Sequence, residues 1–145
     1  MRYAYPVDIE LDEEGRHVVR FPDIPGAVTD GATREEALDE AADCLDMALA
    51  TRMHEGEDIP AASPAAGRPR IAVELTTAAK VALCERMREI DIKNVELARR
   101  LKVNERVVRR MLDPLHKTKT ECLLRALHVL GVRLEVHSVK TERAA

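Results

Sequence analysis

Three arginines, Arg106, Arg109 and Arg110, lie close together in the C-terminal third of the chain. A guanidinium group is planar and carries a fork of N–H donors, which matches O6 and N7 of guanine in the DNA major groove. At helical spacing the three side chains share one exposed helix face, so we interpret them as candidate base readers. Neighbouring lysines are suited to holding phosphates. The full candidate DNA-binding set is Asn94, Lys102, Asn104, Glu105, Arg106, Arg109, Arg110, Lys117 and Lys119.

A helix-turn-helix is the motif that would place these arginines in the major groove. Residues 95–101 and 105–112 are predicted helices, with Asn94 and Asn104 as their N-caps, and the second helix of such a motif enters the major groove. Lys102 lies where the turn commonly holds glycine at positive φ, so we expect about 1 kcal/mol of backbone strain there. The alternative is a generic helical bundle with a solvated basic face. The motif is favoured because small or apolar residues fill its packing positions, namely Leu97, Ala98, Leu101, Val103, Val108 and Met111.

Charge is unevenly distributed along the 145 residues. Residues 1–60 contain sixteen Asp or Glu against five Lys or Arg, a net of −11, whereas residues 61–145 have a net of +8. A basic region can neutralise phosphates, while an acidic region attracts basic protein surfaces. The overall net charge of −3 conceals this division. Two modules with different electrostatic partners are therefore predicted.

The acidic region is predicted to be a small α/β domain. Apolar residues alternate over 3–11, which indicates a half-buried strand, and shorter strands are predicted over 16–21 and 27–29. Thr33 and Glu36 form a capping box that opens a helix to about residue 52. Ile71, Val73 and Leu75 alternate in a fourth strand, which we assign to the same sheet. The order is β-β-β-α-β.

The basic region is predicted to be helical, with helices over 77–90 and 120–130 flanking the helix-turn-helix. Alternation over 132–138 predicts a short terminal strand, which could pair with a second copy of the chain. The fold class is therefore α+β, with domains at 1–75 and 76–145. Small cores of this kind are marginal alone, so a homodimer or higher homo-oligomer is expected.

The residue patterns give little support to catalysis. The three cysteines form no CxxC pair, the histidines have no ligand spacing, and neither a Gly-rich phosphate loop nor a nucleophile elbow occurs. Asp8, Glu36 or Glu40, and Glu74 could be imagined as two-metal ligands, but Asp8 simply fills the polar face of an alternating strand and capping accounts for Glu36, which favours the structural explanation. We therefore expect a protein that is not an enzyme and has no metal or cofactor.

A regulator whose first domain senses a small molecule is the alternative function. Ligand pockets usually offer aromatic side chains, and this region has only Tyr3, Tyr5 and Phe21, which counts against a sensor. The N-terminus has no apolar signal region, and no apolar run reaches eighteen residues. A cytoplasmic protein without a membrane partner is expected.

The first half of the chain resembles the HicB antitoxin family. The resemblance rests on Tyr5-Pro6, on the segment Phe21-Pro22-Asp23-Ile24-Pro25-Gly26, and on a helix capped by Thr33 that begins with Glu35-Glu36-Ala37. It extends over the whole chain, because many HicB proteins carry a helix-turn-helix or a ribbon-helix-helix after this domain. The second half here is similar to the helix-turn-helix type.

The resemblance implies a partial, degenerate RNase H-like fold for residues 1–75. That domain would bind and block HicA, a small mRNA-cleaving toxin, while residues 76–145 would bind a palindromic operator in the operon's own promoter. A basic toxin would complement acidic side chains, although an ordinary solvated face, the sheet edge or the 22–26 loop are alternatives. The candidate toxin-binding residues are Asp23, Asp39, Glu40, Asp43 and Asp46.

Overall fold

The computed structural model describes residues 3–140, in which four strands, a helix and a fifth strand are followed by four helices. The strands are β1 (Ala4–Pro6), β2 (Asp8–Leu11), β3 (His17–Arg20), β4 (Val28–Gly31) and β5 (Arg70–Ala72). The helices are α1 (Arg34–Glu55), α2 (Leu75–Glu89), α3 (Asn94–Leu101), α4 (Glu105–Leu112) and α5 (Thr120–Val129). This order confirms the α+β class.

Strands β2, β3 and β4 form an antiparallel sheet in that order. The β2–β3 hairpin turns at Asp12, whose Oδ1 accepts hydrogen bonds from the backbone N–H groups of Glu14 and Arg16 at 2.9 and 2.8 Å. Gly15 completes the turn with φ of 79°, a conformation that costs glycine little. Short-range turn chemistry therefore sets the register, in which Ile9 lies opposite Val19.

The single first strand predicted over 3–11 is divided in the structure. β1 pairs with β5, while β2 pairs with β3, and the chain changes partner at the buried Val7. Pro6 ends β1 at this break, where its missing N–H costs no ladder hydrogen bond. The assignment of the fourth strand to the same sheet as the others is wrong, because β5 pairs with β1 in a separate two-stranded sheet.

Helix α1 covers the three-stranded sheet through one buried stripe, formed by Ala37, Ala41, Leu45 and Leu49. The predicted cap is confirmed, since Thr33 Oγ1 accepts a hydrogen bond from Glu36 N at 3.1 Å. Gly31 allows the close approach of β4 to the helix, because a Cβ there would lie 2.4 Å from Ala37 N. Any larger residue would push the helix off the sheet.

Helix α2 belongs to both hydrophobic cores. Its Ala78 packs with the strands and α1, whereas Ala79, Leu83 and Met87 pack with α3, α4 and α5. The predicted start at residue 77 was two residues late, because Glu74 caps the helix by accepting from Thr76 N and Thr77 N. Leu75, predicted as a strand residue, is accordingly the first residue of α2.

The predicted terminal strand over 132–138 does not occur. Gly131 follows α5 at φ of 75°, as predicted, and residues 132–140 form no regular secondary structure and pair with no described strand. Val132 and Leu134 pack against the second core, while Val136 is exposed. A strand needs hydrogen-bonded partners, and the described part of the chain offers none beside this segment.

Candidate functional site

Helices α3 and α4 form the predicted helix-turn-helix. Leu97, Ala98 and Leu101 of α3 are buried against Val108 and Met111 of α4. Ala98 is small enough for the two helices to cross closely. These contacts place α4 on the surface with its opposite face directed outwards.

The turn between the helices has the predicted left-handed backbone. Lys102 adopts φ of 56° and ψ of 44°, and the backbone N–H of Val103 donates to Ala98 O at 3.0 Å. Hydrogen bonds of this kind satisfy the last carbonyls of α3. Lysine therefore occupies a conformation that glycine would adopt without a steric penalty.

Replacing Lys102 with glycine is expected to raise the free energy of unfolding by about 1 kcal/mol, because the steric cost of positive φ is removed. Lys102→Ala is the matched control, since it loses the same charge but keeps the strained backbone. Urea denaturation of the full-length variants measures both effects. Equal stability of the Gly and Ala variants would show that the turn is unstrained.

Of the two predicted N-caps, one is confirmed. Asn104 caps α4, with its Oδ1 accepting a hydrogen bond from Arg106 N at 2.9 Å. Asn94 is instead the first residue of α3, and the cap position is held by Lys93 without a side-chain hydrogen bond. The helix begins one residue earlier than predicted, which removes Asn94 from the geometry that an N-cap needs.

The outward face of α4 carries the three arginines, and all are exposed. Arg109 lies 3.8 Å from the Glu105 carboxylate, a weak surface pair. Arg106 and Arg110 form no ion pair with any residue in the range 3–140. Both guanidinium forks are thus available to a ligand at the face of the helix.

Lysines extend this basic surface on both sides of α4. Lys102 is exposed in the turn before α4, and Lys117 and Lys119 are exposed in the loop that follows it. Arg99 and Arg100, by contrast, both bind Glu96, whose carboxylate accepts from their Nε atoms at 2.9 and 2.8 Å. This pairing lowers the pKa of Glu96 to about 2.

A lysine that the sequence patterns did not single out holds the loop after α4. Lys80 of α2 is only 2% exposed, and its Nζ donates hydrogen bonds to the carbonyl oxygens of Asp113 and His116. Burial lowers the pKa of this ammonium group. A second hydrogen bond attaches this loop to α4, since the Thr118 hydroxyl donates to Arg110 O at 3.3 Å. The sequence feature that could have indicated a buried Lys80 is its position among small apolar residues, Ala78, Ala79, Val81 and Ala82.

The acidic candidates do not form one surface. Asp23 accepts a hydrogen bond from Ser63 N at 2.8 Å, and Asp46 accepts one from Glu74 N at 3.0 Å, so both are engaged within the fold. Desolvation raises the pKa of Asp46.

Asp39, Glu40 and Asp43 are exposed on α1. Met47, which sequence reasoning missed, is 63% exposed one turn after Asp43. Asp43 and Met47 therefore share one exposed face of α1.

The side chains considered as metal ligands have separate structural roles. Asp8 lies 3.7 Å from Arg68, Glu36 caps the start of α1, and Glu74 caps α2. Across residues 3–140 no three His, Cys, Asp or Glu side chains are grouped closely enough to hold a metal ion. Within the same range, no helix is long and apolar enough to span a membrane.

The aromatic residues considered for a sensor pocket are parts of the core. Tyr5 is fully buried and donates its hydroxyl hydrogen to Pro60 O at 2.7 Å, and Phe21 is also buried. Tyr3 packs against both cores and donates to Glu85 Oε2 at 3.4 Å. Because these rings fill the interior, they do not line a ligand pocket.

Comparison with known proteins places the chain in one family. Residues 4–82 match the family described as HicB-like antitoxin of bacterial toxin–antitoxin systems. The chain is 38% identical to Antitoxin HicB 1 of Photorhabdus laumondii over 130 residues, which cover 90% of this chain and 83% of the relative. It is 35% identical to Antitoxin HicB of Escherichia coli K12 over 133 residues, 91% of this chain and 96% of the relative. The chain therefore belongs to the HicB family of antitoxins.

Proposed function

We propose that this antitoxin blocks a HicA-type mRNA-cleaving toxin with its α/β region and represses its own promoter through α4. The observation that carries the proposal is the presence, in one chain of the HicB family, of a helix-turn-helix with an arginine-lined outer face and an acidic α/β module. Neither role requires a cofactor. The division of the two roles at residues 75 and 76 follows the predicted domain boundary.

DNA binding is supported by the chemistry of the α4 face. Arg106 and Arg110 present free guanidinium forks for guanine, and the lysines on both sides of α4 lie where phosphates would pass. Helix-turn-helix proteins commonly bind two half-sites as dimers, so a homodimer on a palindromic operator is proposed. The segment 132–138, which lies beside no described strand and exposes Val136, is the proposed contact between the two copies.

Toxin binding is assigned to the exposed stripe of α1. Glu40, Asp43 and Met47 lie on one helix face at spacings of three and four residues. An RNA-cleaving toxin must present a basic surface to its substrate, and carboxylates complement such a surface. Met47 would supply the apolar contact at the centre of the interface, where most binding energy is usually concentrated.

Reversing charge on this stripe tests the assignment. The double variant Glu40→Lys, Asp43→Lys is expected to weaken binding to a purified HicA-type toxin by about tenfold or more, because like charges then face each other. Titration calorimetry of the purified pair gives the dissociation constant. Promoter binding by the same variant should be unchanged.

Glu13→Lys, Glu14→Lys is the matched control, since it makes the same charge change in the exposed β2–β3 turn. It should bind toxin normally. Equal losses in both variants would show a general charge effect, and no loss in either would move the contact to the sheet edge or the 22–26 loop. If the unmodified chain binds no such toxin, the antitoxin mechanism itself is wrong.

A further inference from the structure

An apolar side chain lies on the otherwise charged surface of α4. Val107 is 37% exposed, and its two neighbours on the outward side of α4, Arg106 and Arg110, are both arginines. It is the third residue of α4, in the first turn of the helix. The N-terminal part of a recognition helix is the part that contacts base edges.

The position of Val107 on the helix follows from the two buried residues. Val108 and Met111 point into the core, and at 3.6 residues per turn Arg106 then points directly away from it, with Arg109 and Arg110 on either side of Arg106. Val107 lies at the edge of that outward face, three residues before Arg110 and therefore beside it. Its methyl groups are thus presented next to a guanidinium fork.

Major-groove chemistry offers one apolar feature to such a residue. Thymine alone among the four bases exposes a methyl group there, and apolar side chains contact it directly. We propose that Val107 recognises a thymine methyl group adjacent to a guanine that Arg106 or Arg110 contacts. This inference rests on the proposed DNA binding, and it adds a specificity-determining residue that carries no charge.

The valine also suits this role sterically. Its branched side chain has one strongly preferred rotamer in a helix, so the methyl groups are held in place before DNA binds. A long flexible side chain would lose rotamer freedom on binding, whereas valine loses little. The contact therefore discriminates thymine from the other bases at small entropic cost.

Uracil substitution provides the test, because deoxyuridine differs from thymidine only by the methyl group. Duplexes bound by the full-length protein are first selected from a randomised library, and each thymine of the selected site is then replaced singly by deoxyuridine. Loss of one buried methyl group is expected to weaken binding about fourfold at one thymine in each half-site. Fluorescence anisotropy at constant salt measures the affinities.

The variant Val107→Ala tests whether Val107 is the residue responsible for the weaker binding of uracil-substituted DNA. The variant is expected to bind the thymine and uracil forms of that position with equal affinity, while sensitivity at other positions stays as it was. Val107→Thr is the matched control, because it retains one methyl group and should keep part of the preference. Circular dichroism verifies that both variants are folded.

The possible outcomes distinguish a failure of the role proposed for Val107 from a failure of the proposed DNA binding. Specific binding without any thymine that is sensitive to uracil would overturn the role of Val107 and leave DNA binding intact. Sensitivity that persists unchanged in Val107→Ala would also overturn it, since another residue would then contact the methyl group. Failure to select any specific site would refute promoter binding, and this inference with it.

Discussion

Replacing Arg106, Arg109 and Arg110 together with alanine is expected to abolish specific operator binding while leaving toxin affinity unchanged. A bidentate contact to a base contributes about 1–3 kcal/mol of discrimination, so loss of these contacts should weaken operator binding by about a thousandfold or more. Alanine favours helix, and the side chains are exposed, so α4 should remain folded. Gel-shift titration with promoter DNA measures the loss.

Arg20→Ala, Arg34→Ala, Arg70→Ala is the matched control for this variant. It removes the same charge from exposed positions on β3, α1 and β5, far from α4 along the chain. Its operator affinity should stay close to that of the unmodified protein. For both proteins, operator affinity should fall steeply as the salt concentration rises, because phosphate contacts release counterions. Unchanged shifts with the α4 variant would refute the arginine assignment.

Replacing the buried Lys80 with methionine is expected to have the next largest effect. Methionine keeps a similar unbranched stem but cannot donate to the Asp113 and His116 carbonyls, so the loop after α4 loses its attachment to α2. A hydrogen bond to a charged group contributes about 1.5–3 kcal/mol, although relief of the buried charge offsets part of that loss. We expect a decrease of about 2 kcal/mol in unfolding free energy.

Operator affinity should also fall in Lys80→Met, by about tenfold, because Lys117 and Lys119 are no longer held beside α4. Lys140→Met is the control, since it removes the same charge from an exposed position. Urea denaturation and anisotropy titration at one salt concentration measure the two effects. Normal stability together with normal operator affinity would mean that Lys80 does not organise the loop.

The two modules are less separate than the charge division suggested. Helix α2 contributes Ala78 to the first core and Leu83 to the second, and Asp46 of α1 accepts a hydrogen bond from the backbone of Glu74, which caps that same helix. A fragment ending at residue 75 would therefore lack part of the first core. The boundary remains a prediction, but the structure shows one helix that supports both regions.

Local features of this chain were predictable because they depend on residues close together in sequence. The cap of α1, the positive φ of Lys102 and the boundaries of α4 each follow from neighbours within a few positions. The packing of α3 against α4 was predictable for the same reason, since Leu97 and Val108 are separated by one short turn. The arginine face then follows from helical periodicity alone.

Features that depend on distant residues could not be inferred in this way. Asp46 and Glu40 both lie outside the apolar stripe of α1, so the sequence pattern does not distinguish them. Only Asp46 accepts a hydrogen bond from the backbone N–H of Glu74, 28 residues away in the chain. Lys80 gains its role from carbonyl groups 33 and 36 residues away.

The segment 132–138 has the alternation of a strand, but residues 3–140 contain no neighbouring strand with which it pairs. The periodicity of a sequence indicates which face of a helix or strand is apolar. Only the packing of the folded chain determines which residues that face, or an acidic side chain beside it, contacts.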